Sequence, residues 1–177
     1  MGDSLPSWVR LLASARVDPR ANSLASALRL EPHPEGGFFR EIHRSPTTVE
    51  TNDGRGSRAA MTVIYFLLTR GDHSRWHVVA SDEQWTFLEG DPLELLVVSS
   101  EADQLSTLRL GPMGAGHDPT TIVPGGAWQA ARSAGAFSLV TCTVGPGFDY
   151  ADFRFLADDP ADSERIRRDW PRLAGLL

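Results

Sequence analysis

The sequence holds one cysteine, two tyrosines and no apolar run long enough to cross a bilayer, and each shortage removes a class of protein. With Cys142 alone there is no disulfide framework, and its place in the apolar run from Phe137 to Val144 marks a buried core thiol rather than a nucleophile. The longest apolar stretches, such as Met61 to Leu68, fall far short of the roughly 20 residues that span a membrane. Positive charge is also in short supply. Seventeen basic against 23 acidic side chains give a net charge of -6, and no basic stripe with interleaved aromatics occurs, which argues against a nucleic-acid partner. The N-terminus shows no cationic segment followed by an apolar one, and Pro6 occupies the Ser/Thr position of a myristoylation pattern. These absences predict a soluble, cytoplasmic protein with no membrane and no nucleic acid to bind. At 177 residues the chain suits a single domain over 1-177, able to bury about two-thirds of its unfolded surface.

What is present is a series of short strand-like runs punctuated by Gly, Pro and Asp. Met61 to Leu68 is apolar on both faces, as in a sheet packed on two sides, and places Tyr65 on the face of Met61, Val63 and Leu67. Pro92 to Ser99, Leu105 to Leu110, Phe137 to Val144 and Tyr150 to Leu156 supply further strands. The polar segment 45–58, with its Asn-Asp-Gly mark, reads as a hairpin connection or a mobile loop without chemistry, and His117 falls in a turn-rich loop where it is expected to be exposed. Helical spacing is confined to the two ends. Trp8, Leu11, Leu12 and Ala15, then Leu24 and Leu28, mark an N-terminal flank over about 5-28. Asp159 as cap, Pro160 in the first turn, and Ile166 with Trp170 on one face mark a flank over 160-170. This arrangement predicts an all-β sandwich or barrel of the jelly-roll type over about 28-156, with no internal repeat or linker.

Chemistry is concentrated in three places. From Gly71 to Gly90, strand alternation puts His77 and Val79 on one face, and Glu83, Trp85 and Phe87 on one face of the next run, with Ser81-Asp82 as the turn of a hairpin. An imidazole and a carboxylate so placed form a metal site, an acid/base dyad or a buried hydrogen bond. In Leu30 to Glu41, two prolines and then Gly36-Gly37 force an extended and then tightly turning backbone; the glycine pair permits either close approach to a ligand or a bulge at a strand start. His33, between the prolines, reads as a surface or turn residue. The third place is Thr121 to Ala130, a proline-glycine turn followed by Trp128 and Gln129.

The order Gly71, five residues, His77, one residue, Val79, three residues, Glu83, six residues, Gly90 resembles the first motif of the cupin superfamily, with Val79 where a second histidine usually stands. Pro124-Gly125-Gly126-Ala127-Trp128-Gln129 is similar to its second motif, with Gln129 in the histidine position. PHPEGGFFREIHRS, IYFLL, Ser74 to Leu93 and VPGGAWQAA resemble the uncharacterised cupin family called a domain of unknown function, from about Leu28 to Phe155. The resemblance implies a double-stranded β-helix, a jelly-roll cupin barrel, on which many functions occur.

Superfamily members that hold a metal do so with three histidines and a glutamate. That implies His77 and Glu83 as ligands and Gln129 as a weak one through its carbonyl, hence either no cofactor or a weakly bound divalent transition metal. The segment Glu35 to Glu41 also resembles the entry segment of metal-free nucleotide-sugar epimerases. That likeness implies His77 as general base with Glu83, and Tyr65 as acid. Ligand contacts would come from Glu35, Phe38, Arg40, Val79, Trp85 and Gln129, with Arg40 or Arg75 meeting an anionic group, unless Arg40 and Glu41 form a surface ion pair. The expected function is binding of a small polar, sugar-like or anionic ligand in the barrel, with metal-independent isomerase or epimerase-like chemistry. The alternatives are a metal-dependent oxygenase and a non-catalytic binding module. Five tryptophans, flanking helices and open strand edges predict a homodimer.

Overall fold

The structure, a computed structural model, describes residues 18–99, 104–114 and 116–177. Thirteen strands among them follow the Gly and Pro punctuation: β1 (Glu31–Pro32), β2 (Phe38–Arg44), β3 (Thr48–Glu50), β4 (Ser57–Ala59), β5 (Thr62–Thr69), β6 (His73–Val79), β7 (Asp82–Gly90), β8 (Leu93–Val98), β9 (Leu105–Leu110), β10 (Thr120–Val123), β11 (Trp128–Ser133), β12 (Phe137–Gly145) and β13 (Phe153–Phe155). Six pair in the order β1-β2-β5-β12-β7-β10 and five in the order β13-β6-β11-β8-β9, every strand pair antiparallel, while β3 and β4 form a separate hairpin. The two larger sheets face each other as a jelly-roll barrel, the fold expected.

Between the sheets lies the main core, with Phe66, Leu68, Trp85, Leu95, Val97 and Val140 among its side chains. The outer faces are apolar too, which is why β5 and β12 lack polar alternation. Over the six-stranded sheet lies α1 (Pro19–Ala27), whose Ala21, Leu24 and Ala25 meet Leu67, Phe137 and Leu139. Over the five-stranded sheet, α2 (Pro160–Asp169) and the 3-10 segment Pro171–Leu176 cover Trp76, Val78 and Trp128. Asp159 caps α2 as expected, accepting from the Ala161 and Asp162 amides. The helix expected around Trp8 to Ala15 lies outside the described residues. Among the described residues no helix is long and apolar enough to cross a membrane.

Several local expectations are corrected. β6 and β7 are not a hairpin: they belong to different sheets, and the chain turns a corner at Ala80 and Ser81. That corner is pinned by the Gly126 amide on the Val79 carbonyl (2.8 Å), the Gly125 amide on Asp82 (2.9 Å) and the Ala80 amide on the Asp152 carbonyl (3.1 Å). Both motif strands still aim their alternating residues inward, because a corner between facing sheets conserves the inner face. The run from Tyr150 to Leu156 begins as a 3-10 turn (Tyr150–Asp152), capped by Asp149, and only Phe153–Phe155 is strand. His117 is half-buried against Gly111 rather than exposed. The polar 45–58 segment is the β3–β4 hairpin, anchored by Arg55 and Arg58 on the buried carboxylate of Asp152.

Candidate active site

A cavity of about 250 Å³ opens between the sheets at the end of the barrel reached by β2, β5, β7 and β12. Its walls are apolar, from Phe39, Ile64, Phe66, Val79, Trp85 and Val144, and its deep polar groups are His33, Glu35 and Glu83. Glu41, Arg44, Thr62, Cys142, Phe148 and Tyr150 complete the lining, and Tyr150 is 63% exposed.

Glu35 reaches this place through the turn at residues 33–36. The Gly36 amide bonds the His33 carbonyl (3.0 Å), the His33 amide bonds the Gly37 carbonyl (3.0 Å), and the Glu35 carbonyl accepts from the Arg75 amide of β6 (2.9 Å). Gly36 and Gly37 have φ of +111° and +66°, and a Cβ on Gly36 would run into the His73 carbonyl oxygen. The close approach these glycines permit is therefore to the neighbouring strands, not to a ligand. The same turn corrects the reading of His33: its ring is packed edge-on to Phe39 and Phe66, and its Nδ1 accepts the Glu35 amide (3.2 Å).

β6 and β11 are in direct register at His77 and Gln129, so these two side chains share the inner face with Val79. The His77 Nδ1 lies 2.7 Å from the Arg75 carbonyl, which can only accept, so that nitrogen carries the proton and Nε2 is the basic one. The Glu35 carboxyl accepts from Ser74 (2.9 Å) and lies 3.5 Å from the His77 Nδ1 and 3.8 Å from the His33 Nδ1. Gln129 takes its orientation from Trp85, whose indole N–H can only donate and is received by Oε1 at 3.1 Å; Nε2 then donates to Glu83. His77 and Gln129 are fully buried but do not line the cavity, whereas Glu35, Glu83, Val79 and Trp85 do.

Burial dominates the electrostatics. It raises the Glu35 carboxyl from its ordinary 4.5 to about 8, opposed by the Ser74 hydrogen bond and the charge of Arg75. It raises Glu83 to about 6, with His77 opposing and Glu35 assisting. The imidazoles move the other way, His33 to about 4 by burial and then by His77, and His77 downward by burial against the pull of Glu83. Cys142 is buried as expected, but on the cavity wall with its thiol bonded to Glu83, and burial first, then Glu83, holds it protonated.

Four sequence candidates, Tyr65, Arg40, Phe38 and Arg75, face elsewhere. Tyr65 points out of β5 into the layer under α1, with the Arg40 guanidinium 5.9 Å from its ring centre, so neither can serve the cavity. Phe38 joins the same outer layer, and Phe39 is the residue of that pair that lines the cavity. Arg75 stacks on Phe155 at 4.1 Å and donates to the Pro34 carbonyl, outside the cavity. Glu41 is paired with Arg44, not Arg40.

The donor set does not fit a transition metal. Val79 places a hydrocarbon wall where a ligand would stand, and the Gln129 carbonyl is already engaged by Trp85. Among the described residues no three His, Cys, Asp or Glu side chains are arranged to hold an ion.

Comparison with known proteins agrees with the fold. The chain is 30% identical over 144 residues to the uncharacterised protein YML079W of Saccharomyces cerevisiae, covering 72% of this chain and 71% of that one. A solved hypothetical protein from Leishmania major is 31% identical with a TM-score of 0.77, over 89% of this chain and 96% of the other. Protein SO0799 of Shewanella oneidensis is 34% identical with a TM-score of 0.72, over 88% and 93%. Oxalate decarboxylase from Bacillus subtilis shares the fold alone, at 14% identity and a TM-score of 0.53 over 82% of this chain and 36% of that one. The family described as Cupin superfamily (DUF985) matches residues 22–156, and the chain belongs to it.

Proposed function

We propose that this cupin binds a small molecule in its barrel and moves protons on it without a metal, in an isomerase-like reaction, with Glu35 as acid and Glu83 as base. The observation that carries this reading is the pair of buried carboxyls on one cavity, Glu35 raised to about 8 and Glu83 to about 6. At neutral pH the first keeps its proton and the second has lost it, the division of labour that acid/base catalysis needs. Glu83 takes a proton from a carbon beside a carbonyl while Glu35 gives one to the carbonyl oxygen; the enol so formed takes the proton back from Glu83 as Glu35 recovers one from an enol hydroxyl. The proton returns to the original carbon in exchange and, where that carbon bears a hydroxyl, to the neighbouring carbon in isomerisation. Gln129 and Cys142 fix Glu83, Ser74 fixes Glu35, and the apolar walls keep water from competing. The role of base passes from His77 to Glu83 because His77 is behind the wall; its neutral ring is a positioning group between the two acids.

The test is deuterium wash-in at carbon, followed by proton NMR in heavy water over small aldehydes, ketones and amino ketones. Exchange is expected to rise through about pH 6 as Glu83 ionises and to fall through about pH 8 as Glu35 gives up its proton. Glu83→Gln and Glu35→Gln should each slow it by about a hundredfold. Ligand binding with no exchange would leave a non-catalytic binding module, and exchange unchanged in both variants would place the chemistry elsewhere.

A further inference from the structure

We propose that the molecule bound in this cavity carries a cationic nitrogen, a substituted ammonium group seated against aromatic rings and facing the carboxyls of Glu35 and Glu83. The inference rests on the cavity being the ligand site and names the chemical class that fits it.

The charges lining the cavity do not balance. Among the described residues four charged side chains contribute to it, Glu35, Glu41, Glu83 and Arg44, and the one cation of these is already committed. Arg44 bonds both oxygens of Glu41 (3.1 and 2.7 Å) and the Phe148 carbonyl (3.0 Å). Arg75 is turned away onto Pro34 and Phe155, and His33 uses its Nδ1 lone pair to accept an amide proton. Two buried carboxyls therefore face the cavity without a cation, the arrangement in which an arriving positive charge gains most, because a buried carboxylate otherwise lacks compensation. At neutral pH an anion would meet repulsion from ionised Glu83, and an arriving cation would be met by Glu83 and would draw the Glu35 carboxyl toward its ionised form.

The walls select within the cations. Phe39, Phe66, Trp85, Phe148 and Tyr150 surround the space, and ring faces attract a poorly hydrated ammonium group, most strongly where water is excluded. A polyhydroxyl ligand finds few partners beyond the carboxyls: the Thr62 hydroxyl already accepts from the Phe148 amide (2.9 Å), Arg44 is held by Glu41, and most of the wall is hydrocarbon and aromatic, so several sugar hydroxyls would go unpaired. The volume of about 250 Å³ lies below the range of drug-sized sites, so the ligand is small.

The experiment compares choline and tetramethylammonium with the neutral tert-butyl analogue of choline, by calorimetry and by Trp85 fluorescence. Choline and its analogue have nearly the same shape, so their difference reads the charge alone. Choline is expected to bind about tenfold or more tighter than the analogue, and the Glu35→Gln, Glu83→Gln double variant to lose that preference. Equal or tighter binding of the neutral analogue, binding by neither cation, or a preference that survives in the double variant would each overturn the inference. The two claims fail separately: the analogue binding as well as choline with carbon exchange intact removes the cation and keeps the acid/base site, while choline binding with no exchange does the reverse.

Discussion

Glu35→Gln is expected to stabilise the protein by several kcal/mol at about pH 8 and to change it little at about pH 5. The folded Glu35 carboxyl titrates near 8 against an ordinary 4.5. Below the lower value both folded and unfolded chains hold the proton, so its stabilising effect is fully present there. Between the two only the folded chain holds it, and each pH unit removes about 1.4 kcal/mol of stability, approaching about 5 kcal/mol once pH has passed the upper value. Glutamine keeps the Ser74 hydrogen bond and has no proton to lose. Glu83 contributes in the same direction over the shorter interval up to about 6. His33 and His77, both lowered, act oppositely: their stabilising effect is present above about 6.5 and is lost as pH falls. The native protein should therefore be most stable near about pH 6 to 6.5 and decline on both sides, while the variant keeps the acid limb and loses the alkaline one. Urea unfolding across this range checks it. A native protein of constant stability between about pH 6 and about pH 9 would contradict the burial assigned to Glu35.

Asp152→Asn should cost about 3 kcal/mol, and through a different device. The Asp152 side chain is only 3% exposed and accepts Arg55 Nη1, Arg58 Nε and Arg58 Nη2, all at 2.8 Å. These bonds, that of Arg58 foremost, hold its carboxyl below the ordinary range. Removing the charge leaves two guanidinium groups, themselves mostly buried, facing a neutral amide. The same change frees the β3–β4 hairpin from the turn that bears Tyr150, so the cavity mouth should loosen and bound ligand should leave faster. Asp169→Asn serves as the control, because its pair with Arg168 is exposed on both sides and its loss should leave stability nearly unchanged. A loss at Asp152 no larger than at Asp169 would refute the anchoring role.

The fold was legible because its punctuation is chemical. Glycines and prolines mark the strand ends, Asp159 and Pro160 mark a helix start, and the spacing from Gly71 to Gly90 carries the family pattern. The inner face was legible at His77, Val79 and Glu83, where alternation along each run gives the side, and at Gln129 through the second motif, but alternation did not show that His77 and Gln129 stop short of the cavity while Val79 and Glu83 line it. It was illegible where both faces are apolar. On β5 nothing local distinguishes Tyr65, Val63 and Leu67 from Ile64, Phe66 and Leu68, and the helix lying over one face decides which is the outside. Phe38 and Phe39 pose the same ambiguity, and the shifted register between Glu41 and His43 hides the inward position of Arg44. Tyr150 was missed because it stands on a short turn rather than a strand. His33 was misread because prolines on both sides suggest an exposed turn, whereas this one folds inward onto Phe39 and Phe66. Cys142 could have been placed beside Glu83 only from the β7–β12 pairing.

The central claim is that one cavity carries two carboxyls that titrate on either side of neutrality. Carbon-13 NMR of the glutamate side-chain carboxyls, followed from about pH 4 to about pH 10 with Glu35→Gln and Glu83→Gln for assignment, tests it most directly. The account predicts one resonance with a midpoint near 8 that is missing from the Glu35 variant and one near 6 that is missing from the Glu83 variant. Both carboxyls fully ionised by about pH 5 would contradict it.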